Sequence, residues 1–292
     1  MSKKHPVISI TGSSGAGTTA VKNAFQHIFA RLGLNAAIIE GDSFHRYDRK
    51  EMRRKIEEFD KKGLPFSHFA AEANLLDELE TLFRQYGENG GGKIRRYLHT
   101  LEEAVAVGQE PGTFTPWEEV PKNSDLLFYE GLHGAAVSKT ADVARYADLV
   151  VGVVPIINLE WTQKILRDIN ERGYRRDEVT DTILRRMYDY VHMITPQFSR
   201  TDINFQRVPT VDTSNPFIAR YVPTPDESFV VIRFKEPKKF EGIIDFPYLV
   251  SMLHDSFMSR RNTIVIPGGK MGLAIEIIFM PLIEKLMRDR QS

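Results

Sequence analysis

Cysteine is absent from this chain of 292 residues. Its absence excludes a disulfide framework, a thiolate nucleophile, a cysteine-ligated zinc or iron–sulfur site and a thiol redox switch. An excess of charge of one sign is also missing, because 39 basic residues balance 39 acidic residues. A balanced charge argues against a wholly basic protein that binds nucleic acid, so we expect no nucleic-acid partner.

Long apolar runs are missing as well. No stretch approaches the roughly 18 consecutive apolar residues that a membrane-spanning helix needs. The first residues, MSKKHPVISITGSSG, have neither the apolar core nor the small-residue cleavage pattern of a signal peptide. The sequence therefore predicts a cytoplasmic protein that has no membrane partner.

The residues that are present predict an α/β fold. A β-rich run at 7–10 leads through a glycine-rich turn into a helical pattern over 18–31, and a second apolar run follows at 36–39. Continuous apolar runs at 126–129 and 149–154 are typical of strands buried on both faces. We expect a mostly parallel sheet flanked by helices, of the type found in phosphate-loop NTPases.

No linker or internal repeat divides the chain, so we expect one domain over residues 1–292 with a C-terminal elaboration from about residue 226. The pattern also predicts a flexible glycine-rich loop, an irregular Pro/Ser/Asn-rich segment, and further helices and strands. The expected loop is 87–92, the irregular segment is 209–225, the helices are 48–60, 72–86, 159–170, 178–193 and one from about 271 that Pro281 bends, and the strands are 229–234 and 263–266.

The glycine-rich turn, GSSGAGTT, fits the phosphate-loop pattern G-x4-G-K-[ST], except that Thr18 stands where lysine is expected. Small residues let successive backbone N–H groups surround an anion, and the following helix N-terminus adds its positive end. The Thr19 hydroxyl is expected to bind Mg²⁺. The residues predicted to bind nucleotide are Gly12, Ser13, Ser14, Gly15, Ala16, Gly17, Thr18 and Thr19.

The missing lysine leaves two interpretations open. Phosphoryl transfer needs a cation near the β- and γ-phosphates, and threonine cannot supply one. Either the site is inactive, or the cation comes from another segment. Lys164 and Arg167 are candidates for the second case because they lie on a predicted helix that follows a later strand.

Two acidic residues lie where predicted parallel strands end. Asp42 follows the second strand, and Glu130 ends the run DLLFYE. Ligands of open α/β sheets collect beyond the carboxyl ends of the strands. Phosphoryl transfer to an alcohol needs a carboxylate that accepts the hydroxyl proton and others that hold Mg²⁺. We interpret Asp42 as the base and Glu130 as a metal ligand.

Basic residues follow two of the predicted strands. Arginine binds phosphate through two parallel hydrogen bonds, so a phosphorylated acceptor would explain more arginines than ATP requires. Four of the arginines are more consistent with solvated helix charge: Arg53, Arg54, Arg175 and Arg176. His133 is more consistent with a packed loop residue. The first cluster is His45, Arg46 and Arg49, and the second is Lys164, Arg167, Arg172, Arg175 and Arg176, with Asp168 among them.

Taken together, these segments resemble the bacterial type of phosphoribulokinase. The resemblance covers nearly the whole chain, and its later blocks are not general features of phosphate-loop proteins. It is carried by GSSGAGTT (12–19), EGDSFHRYDR (40–49), LLFYEGLHG (126–134), VGVVPIINLEWTQKILRD (151–168), TPQFSRTDINFQRVPTVDTSNPF (195–217), VIRF (231–234) and VIPGGKMGLA (265–274).

The resemblance implies Mg²⁺-dependent transfer of phosphate from ATP to the C1 hydroxyl of D-ribulose 5-phosphate, on a fold similar to that of nucleoside-monophosphate kinases. The bacterial branch has threonine or serine in place of the phosphate-loop lysine, which favours an active enzyme. By the same resemblance, the catalytic positions are Asp42, Lys164, Arg167 and Asp168, the sugar-phosphate contacts are His45, Arg49 and Arg172, and the acidic metal positions are Glu130 and Asp168.

The bacterial branch is commonly a homo-octamer that NADH activates and AMP inhibits. Arg31, Arg233 and Arg260 are similar to its inter-subunit effector arginines. Two alternatives remain: another phosphate-loop kinase, such as a uridine kinase, or a regulator that binds nucleotide without catalysis. The arginines for a phosphorylated acceptor argue against the first. The second is opposed by the presence of a complete set of catalytic residue types, Asp42, Glu130, Lys164 and Arg167.

Overall fold

Ten strands and eight α-helices make up the described part of the chain. The computed structural model describes residues 4–13, 17–171 and 173–291, except for the side chains of Thr19 and Gln291. The strands are β1 (Val7–Thr11), β2 (Ala36–Glu40), β3 (Lys93–Ile94), β4 (Glu118–Glu119), β5 (Leu126–Gly131), β6 (Leu149–Val154), β7 (Ile203–Pro209), β8 (Ser228–Phe234), β9 (Phe257–Arg260) and β10 (Thr263–Pro267). The helices are α1 (Thr18–Leu32), α2 (Arg49–Asp60), α3 (Leu76–Asn89), α4 (Leu101–Val105), α5 (Ile157–Asn170), α6 (Arg176–Asp189), α7 (Phe246–Met252) and α8 (Met271–Gln291).

Eight of the strands form one sheet in the order β2-β5-β1-β6-β7-β8-β10-β9. Strands β2, β5, β1, β6 and β7 are parallel, whereas β8, β10 and β9 are each antiparallel to their neighbours. The expected mostly parallel sheet with flanking helices is confirmed. Strands β3 and β4 form a separate two-stranded ribbon.

Apolar side chains fill the space on both faces of the parallel strands. All five residues of β1 are buried, as a strand covered on both sides requires. On one face, Phe25 of α1 packs with its ring centroid 5.0 Å from that of Phe128 and 4.7 Å from that of Phe279 in α8. On the other face, α3 contributes Leu79 and Phe83 to the core. Because β1, β2, β5 and β6 are parallel, their carboxyl ends lie along the same edge of the sheet between these two layers.

The predicted helix at 72–86 and the predicted loop at 87–92 were partly wrong. The helix α3 begins at Leu76 and continues to Asn89, and only at Gly90 does the backbone turn, with φ at 74°. The buried ring of Tyr86 packs in the core near the end of this helix, so tertiary contacts extend it past Gly87. The loop is therefore half as long as expected.

Strand β7 was missed because its sequence, INFQRVP, alternates polar and apolar residues and has no continuous apolar run. It lies between β6 and β8, and Ile203 and Phe205 are its buried side chains. The irregular segment that was expected from residue 209 does follow it. In the part of the chain that is described, no helix is both long and apolar enough to cross a bilayer.

Candidate active site

The glycine-rich turn joins β1 to α1 at the carboxyl edge of the sheet. The backbone N–H of Gly12 donates to the carbonyl of Gly131 at 3.1 Å. A Cβ on Gly12 would lie 2.9 Å from the carbonyl oxygen of Val153, so only glycine fits there. Gly17 has φ at 97° and precedes the first residue of α1. Ser14, Gly15, Ala16 and the side chain of Thr19 lie outside the described residues.

Thr18, the residue in place of the expected lysine, contacts the predicted metal ligand. Its side chain is buried, and its hydroxyl forms a hydrogen bond with the carboxylate of Glu130. Burial raises the pKa of Glu130, while this hydrogen bond and the charge of Lys22 act in the opposite direction. Thr18 therefore lowers the pKa of the carboxylate of Glu130, beside the phosphate loop. It does not supply the positive charge of the lysine that it replaces.

Two glycines bring Asp42 and Glu130 to neighbouring positions. Gly41 follows β2 and Gly131 ends β5, and a Cβ on Gly41 would lie 2.7 Å from the Cα of Gly131. The backbones can approach this closely only because neither residue has a side chain. Asp42 and Glu130, each adjacent to one of these glycines, are close enough that the charge of Asp42 contributes to the raised pKa of Glu130.

Asp42 lies on a 3₁₀ turn between Gly41 and Phe44, and two histidines flank its carboxylate. The Nε2 atom of His45 is 3.6 Å from Oδ1, and the Nε2 atom of His99 is 3.6 Å from Oδ2. Neither separation is a hydrogen bond. The side chain of Asp42 is 41% exposed, so both carboxylate oxygens remain accessible to an incoming hydroxyl.

The histidines on the buried side of Asp42 are neutral. Burial lowers the pKa of His45, and the nearby charge of Asp42 only partly offsets that effect. The ring of His68 lies 5.0 Å from that of His45, and burial lowers its pKa as well. His133 is packed in the same region, where burial lowers its pKa to about 3. Burial therefore favours the uncharged form of the three imidazoles on the buried side of Asp42.

Arg49 begins α2 and lies against the loop that carries His99. Its Nη2 donates to the carbonyl of His99 at 3.0 Å, and its backbone N–H donates to the carbonyl of Gly112 at 2.9 Å. Arg49 is thus tied to the loop whose His99 lies beside Asp42, whereas His45 lies beside Asp42 directly. Arg46, in contrast, donates to the carbonyls of Glu72 and Asn74, which ties it to the backbone of the following segment.

Helix α5 carries the predicted cation. Lys164 donates to Oδ2 of Asp168 at 2.5 Å, and Nε of Arg167 lies 3.2 Å from Oδ1 of the same carboxylate. Burial, followed by the charge of Arg186, lowers the pKa of Lys164 to about 8, although the hydrogen bond and charge of Asp168 act to raise it. The predicted residue Arg172 lies outside the described part of the chain.

Two residues of this cluster were not found from the sequence. Glu160 is buried, bonds through Oε1 to the hydroxyl of Ser13, and accepts from Tyr190 at 3.1 Å. Its spacing of four residues before Lys164 and eight before Asp168 was a usable signal, because such residues share one face of a helix. Arg186 comes from α6, and no spacing in the sequence connects it with α5.

Electrostatic interactions connect the α5 cluster with the histidines beside Asp42. The charges of Lys164 and Arg186 both lower the pKa of His68, and the charge of Arg186 lowers that of His45. These effects require short separations. Asp42 follows β2, Glu130 lies in β5 and α5 follows β6, so all three segments meet the carboxyl edge of the sheet, where Glu160 of α5 bonds to Ser13.

Two cavities lie at this part of the sheet. One of about 90 Å³ lies next to the phosphate loop, where Gly17, Val153, Glu160, Arg207 and Met271 are among its walls. The other, of about 330 Å³, lies against the sheet, and its lining residues are Val154, Phe198, Ser199, Asn204, Gln206, Val231 and Arg233.

The three candidate effector arginines do not meet within one chain. Arg31, on α1, pairs with Glu276 of α8 at 2.9 Å. Arg233 and Arg260 both lie opposite Thr263 in the register of the sheet, so they share one row across three strands. The neighbours of Arg233 in β8, Ile232 and Phe234, pack against α1 and α8, so Arg233 lies on the opposite face of the sheet.

The donor groups that this region offers to Mg²⁺ are few. Among the residues that the structure describes, no group of three or more His, Asp and Glu side chains forms a ready-made metal site. Mg²⁺ usually binds through one or two carboxylates together with substrate phosphates and water. Glu130 fits that role because it lies beside the phosphate loop, whereas the carboxylate of Asp168 already bonds to Lys164 and Arg167.

Comparisons with known proteins give a consistent result. A sequence model of the "Phosphoribulokinase / Uridine kinase family" matches residues 7–214. The chain is 61% identical over 292 residues to "Phosphoribulokinase, plasmid" of Cupriavidus necator, covering 100% of this chain and 99% of that one. It is 62% identical over 290 residues to the phosphoribulokinase of Sinorhizobium medicae, covering 99% of each. The solved structure of the phosphoribulokinase from Rhodobacter spheroides aligns with a TM-score of 0.90 and 55% identity, covering 100% of both chains.

Proposed function

Because the chain belongs to the phosphoribulokinase / uridine kinase family, we propose that it transfers the γ-phosphoryl group of ATP to D-ribulose 5-phosphate. The phosphate is added to the C1 hydroxyl, and the products are ribulose 1,5-bisphosphate and ADP. Identity of about 60% to phosphoribulokinases over the full chain supports this assignment. The observation that carries the mechanism is the accessible carboxylate of Asp42 beside Glu130 and the phosphate loop.

Asp42 is the proposed base. As the C1 oxygen attacks the γ-phosphorus, the proton of the hydroxyl passes to the Asp42 carboxylate, and the bond to the β,γ-bridging oxygen of ATP breaks. The neutral state of His45 favours this role, since a cationic neighbour would stabilise the carboxylate and weaken it as a base.

The phosphate loop is proposed to bind the nucleotide through its backbone N–H groups and the N-terminus of α1. Glu130 and the Thr19 hydroxyl are the proposed Mg²⁺ ligands, with Asp168 as a further acidic group. When bound, Mg²⁺ offsets the charge of the transferring phosphate. Lys164 and Arg167 are proposed to provide the positive charge that Thr18 lacks, and Asp168 orients both of them.

Ribulose 5-phosphate is proposed to bind through His45, Arg49 and Arg172. For Arg49→Ala, we expect the KM for ribulose 5-phosphate to rise about 10- to 100-fold, since a charge-assisted bond to phosphate is lost. The KM for ATP is expected to stay within about twofold of its original value. Lys50→Ala, at an exposed neighbouring residue, is the matched control in the same steady-state kinetics. An unchanged KM for ribulose 5-phosphate in Arg49→Ala would show that Arg49 does not bind this substrate.

An assay of ADP release, with and without ribulose 5-phosphate, tests the proposed function directly. Phosphoribulokinase activity predicts release that depends on ribulose 5-phosphate and Mg²⁺ and yields a bisphosphate. Release that depends on uridine instead would identify a different kinase of the same family. No acceptor-dependent release with either compound would favour a nucleotide-binding regulator.

Regulation by NADH and AMP, in a homo-oligomer such as an octamer, is a further part of this proposal. The separation of Arg31 from Arg233 and Arg260 on opposite faces of the sheet supports an effector site made by different subunits. The exposed β9 at the edge of the sheet, which contains Phe257 and Met258, offers a surface for such contacts. The continuous eight-stranded sheet supports one domain over residues 1–292.

For Arg31→Ala, we expect activation by NADH to fall by at least about fivefold while the basal rate stays within about twofold. The ion pair with Glu276 is exposed, and such pairs contribute only about 0–1 kcal/mol to stability, so the fold should be retained. The ratio of rates with and without NADH is the measurement, and Arg53→Ala, on an exposed face of α2, is the control. A full NADH response in Arg31→Ala would remove Arg31 from the effector site.

A further inference from the structure

A side chain from the β3–β4 region holds the backbone that follows Asp42. Arg95 donates from Nε to the carbonyl of Ser43 at 2.8 Å and from Nη2 to the carbonyl of His45 at 2.6 Å. These carbonyls belong to the residues one and three positions after Asp42. A single planar guanidinium therefore joins two points of the turn that carries the candidate base.

Two aromatic rings hold the guanidinium group of Arg95 in position. Its Cζ lies 3.7 Å from the centroid of Phe114 and 4.7 Å from that of Trp117, which are cation–π distances. Trp117 also packs edge-on against Phe44 at 5.8 Å, and Phe44 is buried in the same turn as Asp42. We call Arg95, Phe114 and Trp117 the aromatic clamp.

The charge of Arg95 has no acidic partner in the part of the chain that the structure describes, and its only bonded oxygens are the two carbonyls. Burial lowers the pKa of Arg95 to about 10. A desolvated cation is normally paired with a carboxylate, because burial of an unpaired charge is costly. Here the Arg95 cation bonds to main-chain carbonyls instead of a carboxylate. Its bonds therefore stabilise the conformation of the turn.

The rest of the turn is held from the other side by a different segment. The N–H of Leu75 donates to the carbonyl of Phe44, and the N–H of Arg46 donates to the carbonyl of Ala73, both at 2.8 Å. These bonds hold the far end of the turn. The carbonyl of Ser43, next to the base, is held by Arg95.

We propose that Arg95 is a positioning residue for phosphoryl transfer, which fixes the carboxylate of Asp42 relative to the acceptor hydroxyl by holding the carbonyls of Ser43 and His45. This inference rests on the proposed function. Displacement of a catalytic group by about 1 Å can lower a rate by about 100-fold, although the displaced residue is itself intact.

Kinetics of Arg95→Met and Arg95→Lys test this role, with Arg96→Met as the matched control. Arg96 is the exposed neighbour, and its backbone pairs with Thr115. We expect Arg95→Met to lower kcat about 100-fold while the KM for ATP stays within about twofold. Arg95→Lys should be intermediate, because an ammonium group donates as a point and does not span both carbonyls. Arg96→Met should retain the original kcat within about twofold.

A double variant separates positioning from general damage to the fold. In an Asp42→Asn background, addition of Arg95→Met should lower the residual kcat by less than about threefold, because the group that Arg95 positions is already lost. A further 100-fold fall would overturn the inference, as would Arg95→Met with a kcat within threefold of the unsubstituted enzyme. If Arg95→Met does not fold, Arg95→Lys is subjected to the same two comparisons. An unsubstituted chain that releases no ADP contradicts the proposed function, whereas an active chain that is insensitive to Arg95 contradicts this inference alone.

Discussion

Asp42→Asn is expected to lower kcat about 10²- to 10⁴-fold while the dissociation constant for ATP stays within about twofold. An amide has nearly the same shape as the carboxylate, but it cannot accept the proton of the attacking hydroxyl. The turn from Gly41 to Phe44 is held by its backbone, so the substitution should leave the structure unchanged. Steady-state kinetics and a fluorescent ATP-analogue titration measure the two quantities.

Asp77→Asn is the matched control for this prediction. Asp77 lies in the first turn of α3, where its side chain is exposed, and the substitution makes the same chemical change away from the site. Its kcat should equal that of the unsubstituted enzyme. If Asp42→Asn kept more than a tenth of the original kcat, the proton would have to pass to another group, and the accessible neighbour His99 would be the next residue to examine.

Replacement of Lys164 by alanine is expected to lower kcat about 10²- to 10³-fold with ATP binding largely retained. The reason is that Lys164 is the proposed substitute for the lysine missing from the phosphate loop, and loss of a single stabilising donor costs about 10²- to 10³-fold elsewhere. Lys139→Ala, in an exposed loop, is the control. Near-normal turnover in Lys164→Ala would show that the required charge lies on another side chain.

The lowered pKa of Lys164 adds a dependence on pH. Because this pKa is about 8, the ammonium is charged below pH 8 and loses its proton above it. The value of kcat/KM, which reports groups of the free enzyme, should therefore fall as the pH rises through about 8. In Lys164→Arg this fall should move to higher pH, since a guanidinium keeps its proton there. If kcat/KM of Lys164→Arg fell at the same pH as that of the unsubstituted enzyme, the titrating group would be a residue other than Lys164.

Several elements that depend on local sequence were predicted correctly. The βαβ unit and the ends of β2 and β5 follow from continuous apolar runs and a glycine pattern, so the sequence could place Asp42 and Glu130 at one edge. Helical spacing alone could have added Glu160 to Lys164 and Asp168. Short β-strands such as β3 and alternating ones such as β7 carry no comparable signal.

Contacts between distant segments of the chain could not be predicted from the sequence. His99 and Arg95 come from the β3–β4 region, and their contacts with the turn of Asp42 arise only when that region packs against the turn. Arg186 reaches the site from α6 in the same way. In each case a polar residue reaches the site through tertiary packing. Such packing leaves no local pattern in the sequence.

The contact between Gly41 and Gly131 couples the proposed base to the proposed metal ligand. Since the backbones touch there, a methyl group at either glycine would force the two strands apart. On the other side of the site, Glu160 of α5 bonds to Ser13, so the helix that carries Lys164 is tied to the segment between β1 and α1. A substitution at Gly41 or Gly131 should therefore disturb both proposed carboxylate roles together, whereas the basic side chains of α5 should keep their place.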